Sequence, residues 1–264
     1  MNVRIKRAIP LKPRSMTGCG AVARLLVLMA WCVCVAPAAA LALDIPERLV
    51  FDLTWTGIKA GTAVQEIVAD GDSIKVTSIA RSADYISVFF PVEDRIESTL
   101  TKVQGSLLGL PRHYRMKVRE GKHRRDKEIT FDQSKGKAYY TDNLGGEKAV
   151  VDILPNTYDA YSSFYHLRTL KLEVGKSVFV NILDNKQLWN VEVQVLKKEK
   201  IETILGEVNT IVIRPLIKSE GIFDKKGAID IWLTDDERRI PVRMKTKVKI
   251  GSVTATLVEI TPGR

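Results

Sequence analysis

The sequence predicts a mainly β protein, built as a large curved antiparallel sheet or half-barrel of meandering hairpins with one packed helix. Three observations predict this class. Apolar and polar residues alternate in many short segments, turn-forming residues separate these segments, and a single segment shows helical spacing instead. Because side chains alternate between the faces of a strand, this pattern indicates strands with one buried and one wet face, which favours antiparallel pairing.

The last forty residues show the alternation most clearly. Apolar residues occupy every second position of 228–233, namely Ile229, Ile231 and Leu233. The charged stretch 234–238 follows as a predicted hairpin turn, because Asp side chains bond nearby backbone N–H groups. Pro241 is expected to begin the return strand, since proline has no N–H to donate. A third strand is predicted over 253–260.

An early meander mirrors the late one. Apolar side chains alternate through the first predicted strand as Leu49, Phe51, Leu53 and Trp55. Residues 57–61 form a predicted turn, and 70–72 form a second one around Gly71, since glycine tolerates a positive φ. The predicted sheet therefore begins and ends with hairpins.

Two motifs in these meanders carry a family resemblance. The runs IWLTDD (231–236) and RIPV (239–242) follow Gly221, Phe223 and Gly227, and residues Trp55, Gly57, Ile58, Ala60 and Gly61 lie near the start. Over most of residues 45–262 the chain resembles the bacterial envelope family known as domain of unknown function 3108. The resemblance implies an exported, β-rich protein without an assigned activity, so it supplies no catalytic residues. The Trp-bearing strand and Pro-bearing return strand are also similar to periplasmic lipoprotein carriers, a likeness of fold alone.

Residues 1–42 predict a secretory signal peptide. They contain six basic residues and no acid, then an apolar run over 25–35, and they end in Ala40-Leu41-Ala42. Cleavage after Ala40, a start at Met16, an uncleaved anchor and a lipoprotein are the alternatives. We expect cleavage near Ala42 and a periplasmic or otherwise exported product. Residues 43–264 would then form a single β-rich domain without a transmembrane span, or two sub-sheets divided near 155–172.

Composition excludes several classes of function. The three cysteines, Cys19, Cys32 and Cys34, all lie in the predicted leader, so the exported part can use neither a disulfide nor a thiolate. The formal charge is +10 for the whole chain, but removing six basic leader residues leaves 35 basic against 31 acidic residues, a charge of +4. This ordinary balance gives no argument for nucleic acid as a partner.

The apolar segment YISVFFPV (85–92) interrupts the alternation. One interpretation is buried packing against the sheet. The other is a mobile apolar flap over a ligand cavity or against a membrane, since exposed apolar patches usually mark contact sites. The candidate ligand-binding residues here are Tyr85, Ile86, Val88, Phe89 and Phe90.

The basic hairpin (112–127) carries eight Lys and Arg residues and two acids. Basic side chains on one face of paired strands could bind phosphates of lipids, or an anionic envelope polymer, because Arg pairs with phosphate in a two-pronged geometry. The candidate residues are Arg115, Lys117, Arg119, Arg124 and Arg125. The alternative is a solvated edge hairpin whose charges prevent aggregation.

Residues 157–170 form the single predicted helix, with Asn156 or Thr157 as its N-cap. Its aromatic and apolar residues follow three- and four-residue spacing, which predicts a face packed on the sheet. These residues are Tyr158, Tyr161, Phe164, Tyr165, Leu167 and Leu172.

No motif predicts a cofactor, a metal site or a catalytic constellation. Among the three histidines, His113 and His123 flank one hairpin and could face each other, which is a weak zinc signal. Acid clusters at 93–94 and 235–237 leave a carboxylate-based hydrolase as a remote hypothesis. The first hypothesis is a non-enzymatic binding or carrier protein for a lipid-like or anionic envelope component. The alternative is a structural or interaction module that docks an envelope protein.

Overall fold

A computed structural model describes residues 43–102, 106–216, 229–248 and 251–261. The predicted leader lies outside these residues, as do three residues of the family motif, Gly221, Phe223 and Gly227. In the described part the chain is mainly β, as predicted, with strands that follow the alternation of the sequence.

Fifteen strands and two short helices form the described part. The first eight strands are β1 (Glu47–Trp55), β2 (Ile58–Asp70), β3 (Ser73–Ser82), β4 (Glu93–Thr101), β5 (Leu110–Glu120), β6 (His123–Asp132), β7 (Lys137–Asp142) and β8 (Lys148–Asp152). The others are β9 (Thr157–Asp159), β10 (Ser177–Asp184), β11 (Gln187–Thr203), β12 (Gly206–Pro215), β13 (Ile229–Thr234), β14 (Pro241–Lys247) and β15 (Ser252–Thr261). The helices are α1 (Asp84–Ser87) and α2 (Ser162–Arg168).

All fifteen strands belong to one sheet. Its order runs β8-β7-β6-β5-β4-β3-β2-β1-β15-β14-β13-β12-β11-β10-β9. Sequence neighbours pair as antiparallel hairpins, except for the parallel pair β9–β10 and for β8 and β9, which form the two edges of the sheet. The pairing of β1 with β15 places the two meanders side by side. The chain crosses from one edge of the sheet to the other between Asp152 and Thr157, at the start of the segment near 155–172.

The sheet curves until its distant strands meet. β9 contacts β5, although the two lie far apart in the strand order. Ser98 of β4 donates a hydrogen bond from its hydroxyl to the Asp159 carboxylate at 2.6 Å, and both residues are fully buried. Side chains from both halves fill the space between, including Ile67 and Leu100 from one half and Val193 and Ile211 from the other. A curved sheet gains stability by burying its inner face in this way.

The helix is shorter than predicted and begins later. Residues Thr157–Asp159 pair with β10 as a strand, so the predicted N-cap at Asn156 or Thr157 is wrong. The reason is Asp159, whose carboxylate accepts the N–H groups of Tyr161 at 2.9 Å and Ser162 at 2.8 Å. This cap starts α2 at Ser162. The predicted apolar face is buried against the sheet, with Tyr165 fully inaccessible.

A buried ion pair ties α2 to the first strand. The Arg168 guanidinium donates to both carboxylate oxygens of Glu47, at 2.7 and 2.9 Å, and to the main-chain carbonyl of Arg238 at 3.1 Å. Neither charged side chain is exposed by more than 2%. The guanidinium also lies 5.4 Å from the centre of the Tyr165 ring. One residue thus links the helix, β1 and the β13–β14 turn.

Candidate functional site

The site is assembled from connections at one end of the sheet. β1, β3 and β5 all run towards this end, so their following turns lie side by side. We call residues 55–59, 83–92 and 121–122 the loop rim. The helix α2 and the turn 235–238 lie at the opposite end, because β13 runs the other way.

The apolar segment is exposed on the loop rim. After the single turn of α1, Val88, Phe89 and Phe90 are 77%, 86% and 50% exposed, and Tyr85 is 55% exposed. Ile86 is half-buried. The interpretation of this segment as buried packing is therefore wrong. The physical reason is that β3 and β4 are paired up to Arg81 and Glu93, which leaves their connection outside the sheet.

Hydrogen bonds hold the apolar segment between its two neighbours. The Tyr85 hydroxyl donates to the Lys59 carbonyl, and the Ala83 N–H donates to the Ala60 carbonyl at 2.8 Å. On the other side, the Gly121 N–H donates to the Pro91 carbonyl at 2.8 Å. A Cβ added at Gly121 would lie 2.8 Å from the Phe90 ring, which shows how closely that ring covers the turn. The apolar segment and the basic hairpin are therefore contiguous.

A basic cleft of about 500 Å³ opens beside this contact, along β4, β5 and β6. Its lining residues are Glu93, Arg95, Lys117, Val118, Arg119, Arg124, Arg125, Asp126 and Leu144. Pairing brings the charges together, since Arg95 faces Lys117 and Arg119 faces Arg124 across neighbouring strands. Five basic against two acidic side chains leave the lining with a charge of +3. The arrangement is suited to an anionic group.

The acids in the cleft neutralise only part of its charge. Burial favours a higher pKa for Asp126, but hydrogen bonds from Asn143 and Arg115 outweigh it and hold that pKa below its ordinary value, so the group is an anion. The Glu93 carboxylate lies 3.3 Å from the Arg119 guanidinium. The Arg124 guanidinium donates to the main-chain carbonyls of Gly121 and His123, and among the described residues it forms no ion pair with a carboxylate. Arg124 therefore offers a charge that an anionic ligand could compensate.

Two carboxyl groups meet on the inner face behind the cleft. Burial, then the negative charge of Asp94, raises the pKa of Glu120 to about 7, while Arg125 opposes the shift. Burial also raises the pKa of Asp94, although hydrogen bonds from the Arg119 N–H at 3.0 Å and from Glu120 oppose it. Of the two carboxyl groups, Glu120 is therefore the one that binds a proton more tightly. In its protonated form its O–H group can donate a hydrogen bond to the Asp94 carboxylate.

Glu120→Gln is expected to make the stability of the protein depend less on pH. The unmodified protein should lose stability as pH rises, and the variant should lose less. The folded-state pKa of Glu120 is about 7 against an ordinary 4.5, so the folded protein binds this proton more tightly than the unfolded chain. The resulting stabilisation is full below the unfolded pKa and is lost as pH rises through the folded one. The melting temperature should therefore fall less steeply between pH 5 and pH 8 for the variant than for the unmodified protein. Parallel pH profiles would contradict the assignment.

The structure brings together four of the five predicted basic residues, Lys117, Arg119, Arg124 and Arg125, in one cleft. The fifth, Arg115, lies outside that lining. It lines a smaller depression of about 80 Å³ with Arg95, Glu97 and Lys117, and its guanidinium lies 3.3 Å from Asp126.

Sequence reasoning missed Arg95 and Leu144 as lining residues. The available signal for Arg95 was alternation within its strand, which places it on the same face as Glu97. Only the pairing of β4 with β5 shows that this face adjoins Lys117. Leu144 comes from the β7–β8 turn, and no local pattern of the sequence places that turn beside Asp126.

The two histidines of the basic hairpin do not face each other. His113 lies opposite Thr130 and His123 lies opposite Glu120, so they sit at different levels of the hairpin. His113 instead pairs with Glu128, at 2.6 Å between ring nitrogen and carboxylate. Across the described ranges, no group of three His, Cys, Asp or Glu residues could hold a metal ion. No helix in those ranges is long and apolar enough to cross a bilayer.

The acid clusters at 93–94 and 235–237 lie at opposite ends of the sheet and cannot share a pocket. Asp235 pairs with Lys198 at 2.6 Å. Asp236 accepts the N–H groups of Arg238 and Arg239, as expected of a turn acid. The convergence of Asp94 with Glu120, rather than with its sequence neighbour, was not foreseen.

Fold and site together define a curved antiparallel β protein with a basic cleft and an exposed apolar rim at one end. The family model described as a protein of unknown function (DUF3108) matches residues 50–258. The chain belongs to this family. The family's description assigns no activity, and no curated protein matches the chain.

One solved structure shares the fold. A beta-barrel-like protein of domain of unknown function DUF1849 from Brucella abortus superposes with a TM-score of 0.54 at 14% identity, covering 85% of this chain and 100% of the other. At this identity the likeness shows the fold alone. A hypothetical protein from Chlamydia trachomatis matches with a TM-score of 0.37 at 8% identity, over 84% of this chain and 89% of its own, and carries no argument.

Proposed function

We propose that this protein is an exported, non-enzymatic binding protein whose basic cleft receives the anionic headgroup of a lipid-like envelope molecule. The observation that carries the proposal is the position of the cleft directly beside the exposed apolar segment. An amphipathic anion needs both surfaces, one for its charge and one for its hydrocarbon. The leader-like sequence of residues 1–42 supports an exported location.

The cleft has the size and chemistry for a headgroup. Ligand pockets typically measure about 300–1,000 Å³, and this one is about 500 Å³. Arg124 forms no ion pair within the described residues and can present N–H donors to a phosphate, whereas Arg95 and Arg119 share their donors with Glu97 at 2.6 Å and Glu93 at 3.3 Å. The two-pronged geometry of the guanidinium favours Arg over Lys at phosphate sites. The two apolar lining residues, Val118 and Leu144, would contact the part of the ligand that carries no charge.

The inner cluster argues against glycoside hydrolysis. Asp94 and Glu120 lie close enough for each to shift the pKa of the other. Carboxyl pairs that hydrolyse glycosides stand roughly 5–9.5 Å apart to admit a sugar carbon or a water molecule between them. We therefore assign this pair to setting the charge beside Arg125.

The experiment measures the binding of short-chain phosphatidylglycerol, below its micelle concentration, to protein isolated from the periplasm after export of the full chain. Short-chain phosphatidylcholine, which has no net charge, serves as the control ligand. Replacing Lys117, Arg119 and Arg124 together by Gln should weaken binding of the anionic lipid at least about 100-fold, since hydrogen bonds to charged groups contribute about 1.5–3 kcal/mol each. Added salt should weaken it in the same direction.

A matched variant controls for net charge. Lys197, Lys198 and Lys200 lie on β11, and replacing them by Gln removes the same three charges outside the basic cleft. This variant should bind short-chain phosphatidylglycerol as the unmodified protein does. Equal losses in the two variants, or equal affinity for both lipids, would contradict recognition in the cleft. Isolation of the protein with a protein partner and no lipid affinity would instead favour the interaction-module hypothesis.

A further inference from the structure

The loop rim carries more exposed apolar surface than the basic cleft needs. Its exposed residues come from two connections, the β1–β2 turn and the β3–β4 connection. They are Trp55 (44% exposed), Ile58 (62%), Tyr85 (55%), Val88 (77%), Phe89 (86%) and Phe90 (50%). Single exposed apolar residues are normal on protein surfaces, whereas adjacent ones usually mark a contact with another molecule or with a membrane.

Contacts make these residues one surface. Trp55 and Ile58 lie opposite each other across the β1–β2 turn. Tyr85 reaches the same turn through its hydrogen bond to the Lys59 carbonyl, and Phe90 covers Gly121 at the other side. The apolar side chains are therefore presented on a hydrogen-bonded support, so that little backbone order has to be gained when they are covered.

Charged residues around this surface are mainly basic. The basic residues at and beside the rim are Lys59, Arg81, Arg119, Lys122 and Arg124, and the acidic ones are Asp52, Asp84 and Glu93. The difference is a local charge of +2. Part of it is paired, since Asp52 lies 2.8 Å from Lys59. Glu93 likewise lies 3.3 Å from Arg119 and 3.9 Å from Arg81. An apolar tip surrounded by positive charge complements an anionic lipid surface, which offers hydrocarbon beneath a layer of phosphates.

We propose that the loop rim docks the protein on an anionic membrane surface, with Val88 and Phe89 entering the boundary between headgroups and acyl chains. Trp55 and Tyr85 would lie at headgroup level, where amphipathic aromatic rings are favoured. Lys122 and Arg124 would face lipid phosphates. The proposal goes beyond headgroup recognition in the basic cleft, because it concerns the bilayer as a surface and places the cleft where a lipid could enter it.

The test is co-sedimentation of the periplasm-isolated protein with phosphatidylcholine vesicles that contain or lack phosphatidylglycerol. The rim variant replaces Val88 and Phe89 by Asp, which introduces two charges without touching a buried residue. The matched control also introduces two charges, by replacing with Asp both Val174 and Phe179, whose side chains are 49% and 59% exposed and lie outside the rim. We expect binding to the anionic vesicles, a loss of at least about tenfold in the rim variant, and no loss in the control.

A second measurement locates the contact. Lipids brominated near the headgroup should quench the fluorescence of Trp55 in vesicles containing phosphatidylglycerol, and Trp55→Phe should remove that quenching while Trp189 and Trp232 remain. The docking proposal is overturned if the protein ignores anionic vesicles, if the rim variant binds them as tightly as the control, or if quenching survives the loss of Trp55.

The two proposals fail separately. The rim variant should keep its affinity for glycerophosphoglycerol, the headgroup of phosphatidylglycerol without its acyl chains, since Val88 and Phe89 do not line the basic cleft. Vesicle binding that depends on Phe89, without any affinity for the short-chain lipid, would support docking and overturn the headgroup site.

Discussion

Arg168→Ala is expected to lower the free energy of unfolding by about 3–5 kcal/mol, because it leaves the Glu47 carboxylate buried without its partner. Both charged side chains are almost wholly inaccessible, and the Arg168 guanidinium makes two short bonds to Glu47 and one to the Arg238 carbonyl. Removing it also creates a cavity beside Tyr165. Urea unfolding followed by circular dichroism measures the change.

Two companion variants show whether burial is the cause. Replacing the pair together, Glu47→Gln with Arg168→Met, should recover part of the loss, since no charge then remains buried. Arg48→Ala breaks an ion pair one residue away, with Glu259, whose side chain is 52% exposed. That variant should cost less than about 1 kcal/mol, as surface ion pairs do. Similar losses in Arg48→Ala and Arg168→Ala would refute the distinction.

Asp159→Ala is expected to cost roughly 3 kcal/mol or more, because it deprives four donors of one buried acceptor. These donors are the hydroxyls of Ser98 and Ser162, at 2.6 and 2.7 Å, and the N–H groups of Tyr161 and Ser162. The substitution removes the cap of α2 and the bond between the connection and β4 at once. Arg168 is the last residue of the same helix, so the substitution should also disturb its ion pair with Glu47.

Asp159→Asn separates shape from charge in this network. The amide keeps one oxygen for the N–H groups, and the two serine hydroxyls can rotate to accept from its nitrogen. We therefore expect a smaller loss of stability than with Ala. Hydrogen exchange should show faster opening of residues 161–168 in both variants, more so with Ala. An Asn variant as unstable as the Ala variant would show that the negative charge, not the number of acceptors, is what the site requires.

The fold class was predictable because period-two alternation is a local property. The Ile229, Ile231 and Leu233 series and the Pro241 strand start are both present in the structure. The start of α2 was not predictable in the same way. Residues 157–159 carry helix-compatible spacing, but pairing with β10 outweighs that local preference, and Asp159 then caps the helix from inside the predicted span.

The candidate site was predictable only where its residues share one strand or hairpin. Alternation placed Lys117 and Arg119 on one face, and the hairpin turn brought Arg124 beside them. The exposure of Phe89 could not be inferred, because a dense apolar run is equally consistent with a buried core segment and with an exposed contact surface. Only its position relative to the strand ends distinguishes the two. The Asp94–Glu120 contact depends on strand register, which composition does not reveal.

The pairing of β1 with β15 has a consequence for how the chain reaches its final state. Nearly every other strand pair is a local hairpin that can form as soon as its own residues are available, whereas Arg48 and Glu259 are 211 positions apart. A chain threaded into a compartment from its N-terminal side would hold Leu49 and Phe51 with one edge unpaired until residues 252–261 arrived. The pairing of β1 with β15 therefore joins residues that are far apart in sequence, and forming it would be the slow, aggregation-exposed step that a chaperone would have to protect.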